Sequence, residues 1–540
     1  MRPTLLHSDD IARYVDDGHW SRETHAARLT THAEAHPDRA ACLDQDGSLT
    51  WSALNAASDD LAAGLIGLGL TRDSRALVQM PSSCREMILR LALKKAGIIG
   101  VFVPMQWQVR ELAYVRQRIE PDLIVFQSDT ASAGTSDWLT EVDVAHRLDL
   151  AQTAQAGWVG WTTLAKTRTD ADTQEMIASR AFQFDEVSLI TASSGTSGLA
   201  KLCEWPEAAQ VCIGRLIGER LRITEDDTIG IFSPMSGAAG VLVWLVSATV
   251  PVTIAFPPGY RASDLLNFAA DKAVTVATTV PVILARLAQE PLETCDTTTL
   301  RALRVGTAAT DIGWARQFEE GADCRVVVAA GSMECPGFAH GHVDEPPDIR
   351  LSGAIGLPLP GCRARIDNDD GAPLSAGHVG ELKVSAPYAA SGYWRDAQET
   401  GRAWTDGWYA TGDMGSLDPS GRLTLLGRLK ETINRSGLKI LPAEVEHEIA
   451  KHPHVFESAV VAAPDREYGE VAWAFVQPRS GHQIAPDALA GTLRAAGLAH
   501  YKIPTRFIIV DALPRVSASK VDKKVLREQV TKEMTLKGDI

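Results

Sequence analysis

A stretch rich in Ser, Thr and Gly, "TASSGTSGLAKL" at 191–202, follows the apolar run "VSLI", which predicts a strand. Gly195 and Gly198 permit close approach of the backbone to a ligand, and Lys201 adds a positive charge. Consecutive backbone N–H groups in such a turn bind anions, so these residue types favour phosphate. The spacing is not that of a Walker loop, because the lysine lies three residues after the second glycine. An ordinary surface loop is the alternative.

Two carboxylates follow strand-like or turn-like segments later in the chain. Glu334, in "GSMECPG", comes after a strand that ends in "VVVAAG", and the carboxyl end of a parallel strand is where α/β folds bind ligands. A carboxylate there suits Mg²⁺, whereas a solvated loop glutamate is the alternative. Asp413 follows Thr411 and Gly412 in a predicted tight turn. It is able to accept both hydroxyls of a ribose, or it stabilises only its own turn.

Basic residues mark two further places. Arg428 and Lys430 lie in "LLGRLKETINRSGLKI", where the sequence texture changes, and residues at such a junction include hinges as well as solvated charges. Lys520 lies in the small-residue segment of "LPRVSASKVDKKVL" with Lys523 and Lys524 close behind. That composition is typical of a flexible loop that delivers one positive charge to a site, or of a plain basic tail.

The elements that must position these residues alternate in type. From about residue 75, apolar runs such as "RALVQM" and "DLIVF" alternate with amphipathic stretches, which predicts a doubly wound α/β domain with largely parallel sheets. After Gly353, short strands and turns predict a small β-subdomain. The segments after "LLGRLKETI" predict a compact α+β domain of about 110 residues. We therefore predict an amino-terminal domain at 1–426 and a carboxy-terminal lid domain at 427–540.

Composition limits the class of protein. A chain of 540 residues that is 45% hydrophobic and 22% charged is an ordinary globular protein of at least two domains. Its net charge of −15 argues against nucleic-acid and anionic-membrane partners. Pro251 divides the apolar run at 240–256 into a helix-length and a strand-length piece, which favours buried elements over a membrane span.

Cysteine and histidine patterns indicate no metal centre. The eight cysteines form no C-x-x-C pair and no zinc spacing, and the amino terminus has no apolar signal segment, so we expect free thiols in the cytoplasm. His340 and His342 are near acidic residues, but an exposed loop is the favoured interpretation. Three glutamates, Glu444, Glu446 and Glu448, are interpreted as the solvated face of a helix.

The order and spacing of these motifs resemble those of the adenylate-forming superfamily, which includes acyl- and aryl-CoA synthetases, nonribosomal peptide synthetase adenylation domains and firefly luciferase. The matching segments are "SSGTSGLAK", "GSME", "GEL" at 380–382, "TGD" at 411–413, "GRLKETINRSG" and "SASK". The resemblance extends from about Trp20 to Leu526. The opening "YVDDGHW" is similar to the branch that activates free aryl acids such as 2,3-dihydroxybenzoate.

This resemblance implies a role for each matching residue. It implies Mg²⁺ binding by Glu334, a hinge at Lys430, and stabilisation by Lys520 of the charge that develops between the attacking oxygen and the α-phosphate. The implied ATP-binding residues are Thr191, Ser193, Ser194, Gly195, Thr196, Ser197, Gly198, Lys201, Gly331, Asp413 and Arg428. The implied substrate-pocket residues are Ser236, Gly237, Gly306, Ala330 and Met333.

Departures from the family pattern in three segments concern the substrate and the loop. Gly237 stands where an aromatic residue or histidine is usual, Ala330 replaces a tyrosine, and Met333 replaces a threonine that contacts the α-phosphate. Ala200 replaces the proline before the loop lysine. We expect a larger or reshaped pocket with one hydrogen-bond donor fewer.

The resemblance implies an ATP-dependent ligase that converts an aromatic or related carboxylic acid to acyl-AMP and releases pyrophosphate. Activation of nitrite for coupling to an aromatic amine, and a catalytically silent nucleotide-binding relative, are the alternatives. Expected cofactors are ATP and Mg²⁺. The second acceptor is left open between coenzyme A, a separate carrier protein, an amine and water; Gly437 matches a position beside the pantetheine tunnel of thiol-using relatives.

Overall fold

The structure is a computed structural model, and it describes residues 3–130, 133–151, 153–167, 169–193, 200–436, 438–517 and 520–537. Part of the predicted phosphate loop lies outside these ranges, namely Ser194, Gly195, Thr196, Ser197 and Gly198. Gly437 and the side chain of Lys520 lie outside the description as well.

Strands occur along the whole chain. Those before residue 360 are β1 (Ala40–Asp44), β2 (Gly47–Thr50), β3 (Arg75–Val78), β4 (Ile99–Phe102), β5 (Leu123–Phe126), β6 (His146–Asp149), β7 (Val159–Gly160), β8 (Val187–Ser193), β9 (Lys201–Pro206), β10 (Thr228–Ile231), β11 (Thr253–Ala255), β12 (Val276–Thr279), β13 (Ala302–Val305), β14 (Arg325–Ala330), β15 (Ala339–His340) and β16 (Leu357–Pro358). The later strands are β17 (Arg363–Asp367), β18 (Gly380–Ser385), β19 (Trp404–Thr405), β20 (Trp408–Leu417), β21 (Leu423–Arg428), β22 (Ile433–Arg435), β23 (Leu438–Ile440), β24 (Val455–Asp465), β25 (Gly469–Pro478), β26 (Arg506–Ile509), β27 (Arg515–Ser517) and β28 (Lys520–Val521).

Helices separate most of the parallel strands. They are α1 (Ser8–Asp16), α2 (His25–Ala35), α3 (Trp51–Gly67), α4 (Cys84–Ala96), α5 (Val109–Ile119), α6 (Ala133–Glu141), α7 (Trp161–Leu164), α8 (Ala171–Arg180), α9 (Glu207–Leu221), α10 (Ala238–Trp244), α11 (Ala262–Asp271), α12 (Pro281–Leu287), α13 (Ile312–Ala322), α14 (Pro347–Arg350), α15 (Ala397–Ala403), α16 (Pro442–Ala450), α17 (Pro486–Ala495) and α18 (Lys523–Lys537).

Two large sheets form the amino-terminal part. The first has the order β7-β6-β5-β3-β4-β8-β9 and is parallel except where β9 returns along β8. The second has the order β16-β15-β14-β13-β12-β10-β11-β1-β2 and is parallel from β14 to β1. Strands of nearly continuous Val, Ile, Leu and Ala suit sheets that helices cover on both faces. The predicted doubly wound α/β fold is confirmed.

Smaller sheets follow. An antiparallel sheet of β17-β18-β20-β19, with β21 beside β20, forms the β-rich region. The carboxy-terminal region has β23-β22-β25-β24, with β26 parallel to β25, and its own apolar core beneath α16, α17 and α18. Pairing between β20 and β21 ends at Arg428, and β22 begins a separate sheet at Ile433. The predicted division at 426/427 stays a prediction.

The apolar run at 240–256 divides as expected. It contains most of α10, a 3-10 turn at Leu245–Ala248 and, after Pro251, strand β11. Among the helices of the described ranges, each is either too short or too polar to cross a membrane. The eight cysteines, all within the described residues, are free thiols, as predicted.

The prediction for His340 is wrong. The residue lies in β15, fully buried, and not in an exposed loop, because β15 pairs with the end of β14 and places its side chains inside. Glu446 is also not simply solvated. Its carboxylate accepts a hydrogen bond from the backbone N–H of Val460 and lies 2.9 Å from the ammonium of Lys523.

Candidate active site

The predicted phosphate loop begins where β8 ends. Ser193 is the register partner of Lys201 in the antiparallel β8–β9 pair, so the loop between them starts and ends at adjacent points of the sheet. Thr191 is buried, and its hydroxyl has no hydrogen-bond partner among the described residues. An unpaired buried hydroxyl is unfavourable unless a ligand or water completes it. The base of the loop therefore offers a donor to a bound group.

Glu334 lies just past β14, at the carboxyl end of a parallel strand, as the sequence predicts. It is only 6% exposed, so the alternative of a solvated loop glutamate is wrong. Its Oε1 accepts a hydrogen bond from the hydroxyl of Tyr393 at 3.0 Å, and its carbonyl accepts one from the N–H of Ala390 at 2.8 Å. The carboxylate is thus held in one orientation before any ligand binds.

Tyr393 connects this carboxylate to the loop lysine. The ammonium of Lys201 lies 4.8 Å from the centre of the Tyr393 ring and 3.0 Å from a carboxylate oxygen of Glu399. Burial, together with the charge of Glu334, raises the pKa of Tyr393, so its hydroxyl stays protonated and donates. The hydrogen bond from Lys201 lowers the pKa of Glu399. Tyr393 therefore contacts both the carboxylate of Glu334, through its hydroxyl, and the ammonium of Lys201, through its ring.

Asp413 lies inside β20, not in the predicted tight turn. Gly412 has a positive φ of 68°, and the pairing of β18 with β20 shifts register opposite this point, so the residue lies at an irregularity within a strand. The hydroxyl of Thr411 accepts a hydrogen bond from the Asp413 N–H at 3.0 Å. Arg428 Nε donates to Asp413 Oδ1 at 2.8 Å. The structure brings together Asp413 and Arg428, which are register partners in β20 and β21.

Tyr409 lies near both this pair and Glu334. It precedes Asp413 by four residues in β20 and is buried. Burial, and then the nearby charge of Glu334, raise its pKa. The carboxylate of Glu334 therefore lies near Tyr409, which is four residues from the predicted ribose-binding residue Asp413 in the same strand.

Small residues line the neighbouring strand ends. Gly306 follows β13, and a Cβ there would lie 3.0 Å from the carbonyl oxygen of Ala329. A Cβ at Gly331 would lie 2.2 Å from the backbone nitrogen of Gly337, so only glycine fits. Ala330 and Met333 are buried, and the indole N–H of Trp205 donates to the Met333 carbonyl at 2.8 Å.

The other predicted residues lie on separate elements. Gly237 caps the amino end of α10, and a Cβ there would meet nothing closer than the Pro234 carbonyl at 3.5 Å, so packing does not require the glycine. Ser236 precedes it and is half-buried. Lys430 is exposed in a 3-10 turn directly after Arg428. The backbone of Lys520 pairs with Ser517 in the β27–β28 hairpin.

Sequence reasoning missed Tyr393, Trp205 and Glu399. Tyr393 lies 59 residues from Glu334, in "APYAASGYW", where no periodic pattern separates a functional aromatic residue from a core one. The one available signal is a pair of aromatic residues after a run of small residues. It is too common to identify a site.

The described residues contain no group of three His, Cys, Asp or Glu side chains able to hold a metal ion together. A single oriented carboxylate does fit Mg²⁺, which proteins bind through one or two carboxylates while substrate phosphates and waters complete the octahedron. The donor set at Glu334 is therefore compatible with Mg²⁺ that arrives with a nucleotide.

The Ser-, Thr- and Gly-rich segment that ends at Lys201, the oriented carboxylate of Glu334 and the Asp413–Arg428 pair are features expected of an ATP-dependent, AMP-forming ligase. Adenylate-forming enzymes of this class use ATP and Mg²⁺. The chain belongs to the AMP-binding enzyme family, whose model matches residues 29–394, and the AMP-binding enzyme C-terminal domain matches residues 444–520. The predicted superfamily and enzyme class are confirmed.

Relatives of known activity align along nearly the whole chain. Triostin synthetase I of Streptomyces triostinicus is 30% identical over 507 residues, which are 91% of this chain and 92% of that protein. The salicyl-AMP ligase / salicyl-S-ArCP synthetase of Mycobacterium tuberculosis is 28% identical over 557 residues, 97% of this chain and 94% of its own. The crystal structure of ATP-bound MatB from Rhodopseudomonas palustris matches 94% of this chain and 99% of its own, with 27% identity and a TM-score of 0.84.

Proposed function

We propose that this protein activates an aromatic or related carboxylic acid as an acyl adenylate and then transfers the acyl group to a thiol or an amine. The observation that carries the proposal is the oriented Glu334 carboxylate at the end of β14, beside Tyr393 and the loop lysine Lys201. The name of the Mycobacterium tuberculosis relative, a salicyl-AMP ligase, supports an aryl acid as the substrate class.

In this proposal, the segment from Thr191 to Lys201 and Gly331 bind the triphosphate, and Asp413 accepts the ribose hydroxyls with Arg428 beside it. Glu334 would hold Mg²⁺, which neutralises phosphate charge when bound. The acid oxygen attacks the α-phosphorus in line, and pyrophosphate leaves. The protein contributes mainly position and charge, because little covalent work falls on its side chains.

Lys520 comes from the carboxy-terminal region in this scheme. Its ammonium would contact both the attacking oxygen and the α-phosphate, where negative charge grows in the transition state. Lys430 follows the last strand of the β-rich region and would be the hinge about which residues 427–540 rotate between the two half-reactions. Closure of this region over the acyl adenylate protects a mixed anhydride that water otherwise hydrolyses.

The acid would bind among Ser236, Gly237, Gly306, Ala330 and Met333. Alanine at 330 and glycine at 237 remove side-chain bulk, so the pocket accepts a larger or differently shaped acid than one walled by an aromatic residue. Met333 offers no hydrogen-bond donor from its side chain toward the α-phosphate.

The test is exchange of labelled pyrophosphate into ATP across a panel of aryl and alkyl acids and nitrite, the last with and without an aromatic amine. We expect substrate-dependent exchange with one class of aromatic acid. Exchange with nitrite alone would replace the acid ligase by a nitrite-activating enzyme, and exchange with none of them would favour a silent nucleotide-binding relative. The second acceptor follows from repeating the productive reaction with coenzyme A, amines and a phosphopantetheinylated carrier protein.

A further inference from the structure

Arg304 is a buried guanidinium that forms no ion pair with a carboxylate of the described residues. Three arginines are buried among the described residues; Arg90 is paired with Glu86 and Arg350 with Glu319. Arg304 is 3% exposed, its Nε donates to His340 Nε2 at 3.1 Å, and its Nη1 has no hydrogen-bond partner in the described part of the chain. It is the exception among the three.

Within the part of the chain that the structure describes, no acidic side chain compensates the charge of Arg304. Burial lowers the pKa of Arg304 to about 10, so the group is still a cation at neutral pH, and no carboxylate contributes to the shift. Burial and then the charge of Arg304 lower the pKa of His340 to about 3, so the imidazole is a neutral acceptor and not a counter-ion. A buried, uncompensated cation is unfavourable. Such a group is expected where a ligand supplies the opposite charge.

The position of Arg304 in the sheet points to the acid pocket. Side chains alternate along a strand, so Arg304 and Gly306 belong to the same face of the sheet, about 7 Å apart. The register partner of Arg304 in β12 is Thr278, whose hydroxyl donates to the Ala239 carbonyl of α10 at 3.0 Å. Helix α10 therefore covers this face, and its cap residue is Gly237.

A second series of contacts also connects the Arg304 side chain to the surroundings of Gly306. Arg304 Nε reaches His340, and the register partner of His340 is Ala329, whose carbonyl lies 3.0 Å from where a Gly306 Cβ would be. Arg304 thus lies deeper along the same face as Gly306, on the side away from the strand ends where Glu334 lies. A guanidinium at this position would meet the part of a bound acid that is remote from the reacting carboxylate.

We propose that Arg304 forms the floor of the acid pocket and selects an aromatic acid that carries a second anionic group, such as a second carboxylate. The inference rests on the proposed function and names its substrate class. A guanidinium binds a carboxylate through two parallel hydrogen bonds, and the open Nη1 would be one of the two donors. Hydrogen bonds to charged groups in a dry pocket discriminate strongly against analogues that lack the partner.

The test compares benzoate with benzene-1,3-dicarboxylate and benzene-1,4-dicarboxylate in pyrophosphate exchange. The two diacids place the second carboxylate at different distances from the first. For the natural chain we expect kcat/KM for one diacid to exceed that for benzoate by roughly tenfold to a hundredfold. Arg304→Gln should abolish this preference and leave the KM for ATP unchanged, and Arg304→Lys should restore part of it.

Arg350→Gln is the matched control, because Arg350 is equally buried but already paired with Glu319. We expect it to lower Tm and leave acid selectivity unchanged. Arg304→Gln should raise Tm or leave it unchanged, because it removes a buried charge that no carboxylate among the described residues balances. A lower Tm for Arg304→Gln together with unchanged selectivity would show that Arg304 is structural and would overturn the proposal.

A binding measurement separates this inference from the proposed function. The shift in Tm that each diacid causes is recorded for the natural chain and for Arg304→Gln, independently of turnover. A diacid that stabilises the natural chain but not the variant supports the anionic subsite even if no acid supports exchange. Equal use of benzoate and diacids by both proteins would overturn the subsite and keep the acid ligase.

Discussion

Glu334, just past β14, and Arg304, within β13, are both buried charges at the second large sheet, but their surroundings differ. Glu334 accepts a hydrogen bond from Tyr393, which packs against the cation of Lys201. Arg304 donates from Nε to a neutral histidine, and its Nη1 has no acceptor among the residues that the structure describes. The protein itself orients the carboxylate of Glu334, whereas the guanidinium of Arg304 still has a donor to offer to a ligand.

The difference separates two tasks. A group that must meet the phosphates of ATP gains from being fixed in advance, since preorganised charges need no rearrangement when the reaction occurs. A group that selects among acids must gain its stabilisation from the correct acid, because an unpaired polar group penalises the wrong one. The predictions below test this division.

In the proposed function, neither Glu334 nor Arg304 acts at the α-phosphate. The positive charge there is the ammonium of Lys520. Lys520→Ala should reduce adenylate formation about a hundredfold to a thousandfold, the usual effect of losing one donor that acts on the transition state. Single-turnover pyrophosphate release measures it. Lys524→Ala, an exposed lysine on the following helix, is the control and should retain full activity. Equal rates for both variants would refute the role of Lys520.

The orientation of Glu334 is tested by the dependence of adenylation on Mg²⁺ concentration. Glu334→Gln should raise the Mg²⁺ concentration needed for half-maximal rate roughly a hundredfold, because a carboxylate ligand becomes a neutral amide. Tyr393→Phe keeps the carboxylate and removes only the hydrogen bond at 3.0 Å, so we expect about a tenfold increase. An unchanged Mg²⁺ curve for Glu334→Gln would mean that Mg²⁺ is held elsewhere.

The neutral state of His340 is tested by acid. Its folded pKa of about 3 lies below the unfolded value of 6.5, so the unfolded chain binds the extra proton and stability falls as pH decreases below 6.5. At pH 5 this histidine should lower the free energy of unfolding by about 2 kcal/mol relative to pH 8. His340→Gln should remove that share of the acid sensitivity in denaturant titrations.

His378→Gln, at an exposed position, serves as the control for this measurement and should leave the pH dependence unchanged. If His340→Gln also leaves it unchanged, the histidine is protonated in the folded protein and Arg304 has a second cation beside it. The buried positive charge around Arg304 would then be larger than the structure indicates, and its difference from the hydrogen-bonded Glu334 carboxylate would increase.

Local patterns in the sequence determined the order of strands and helices and the placement of Glu334 after β14. Alternation of apolar runs with amphipathic stretches depends on neighbouring residues only, so the order of strands and helices is predictable from the sequence. The resemblance of the loop, "GSME" and "TGD" motifs to the adenylate-forming superfamily implied the enzyme class, which the family match confirmed. These features need no knowledge of which distant segments meet.

Contacts between distant segments decided the rest. The burial of His340, the position of Asp413 within a strand and the bond from Tyr393 to Glu334 all depend on pairings that no local period encodes. Arg304 shows this most clearly, because the local sequence of an apolar strand does not indicate whether a distant carboxylate will pair with an arginine in it. Only the folded sheet, by placing His340 there and no acidic group, left its charge without a partner in the described structure.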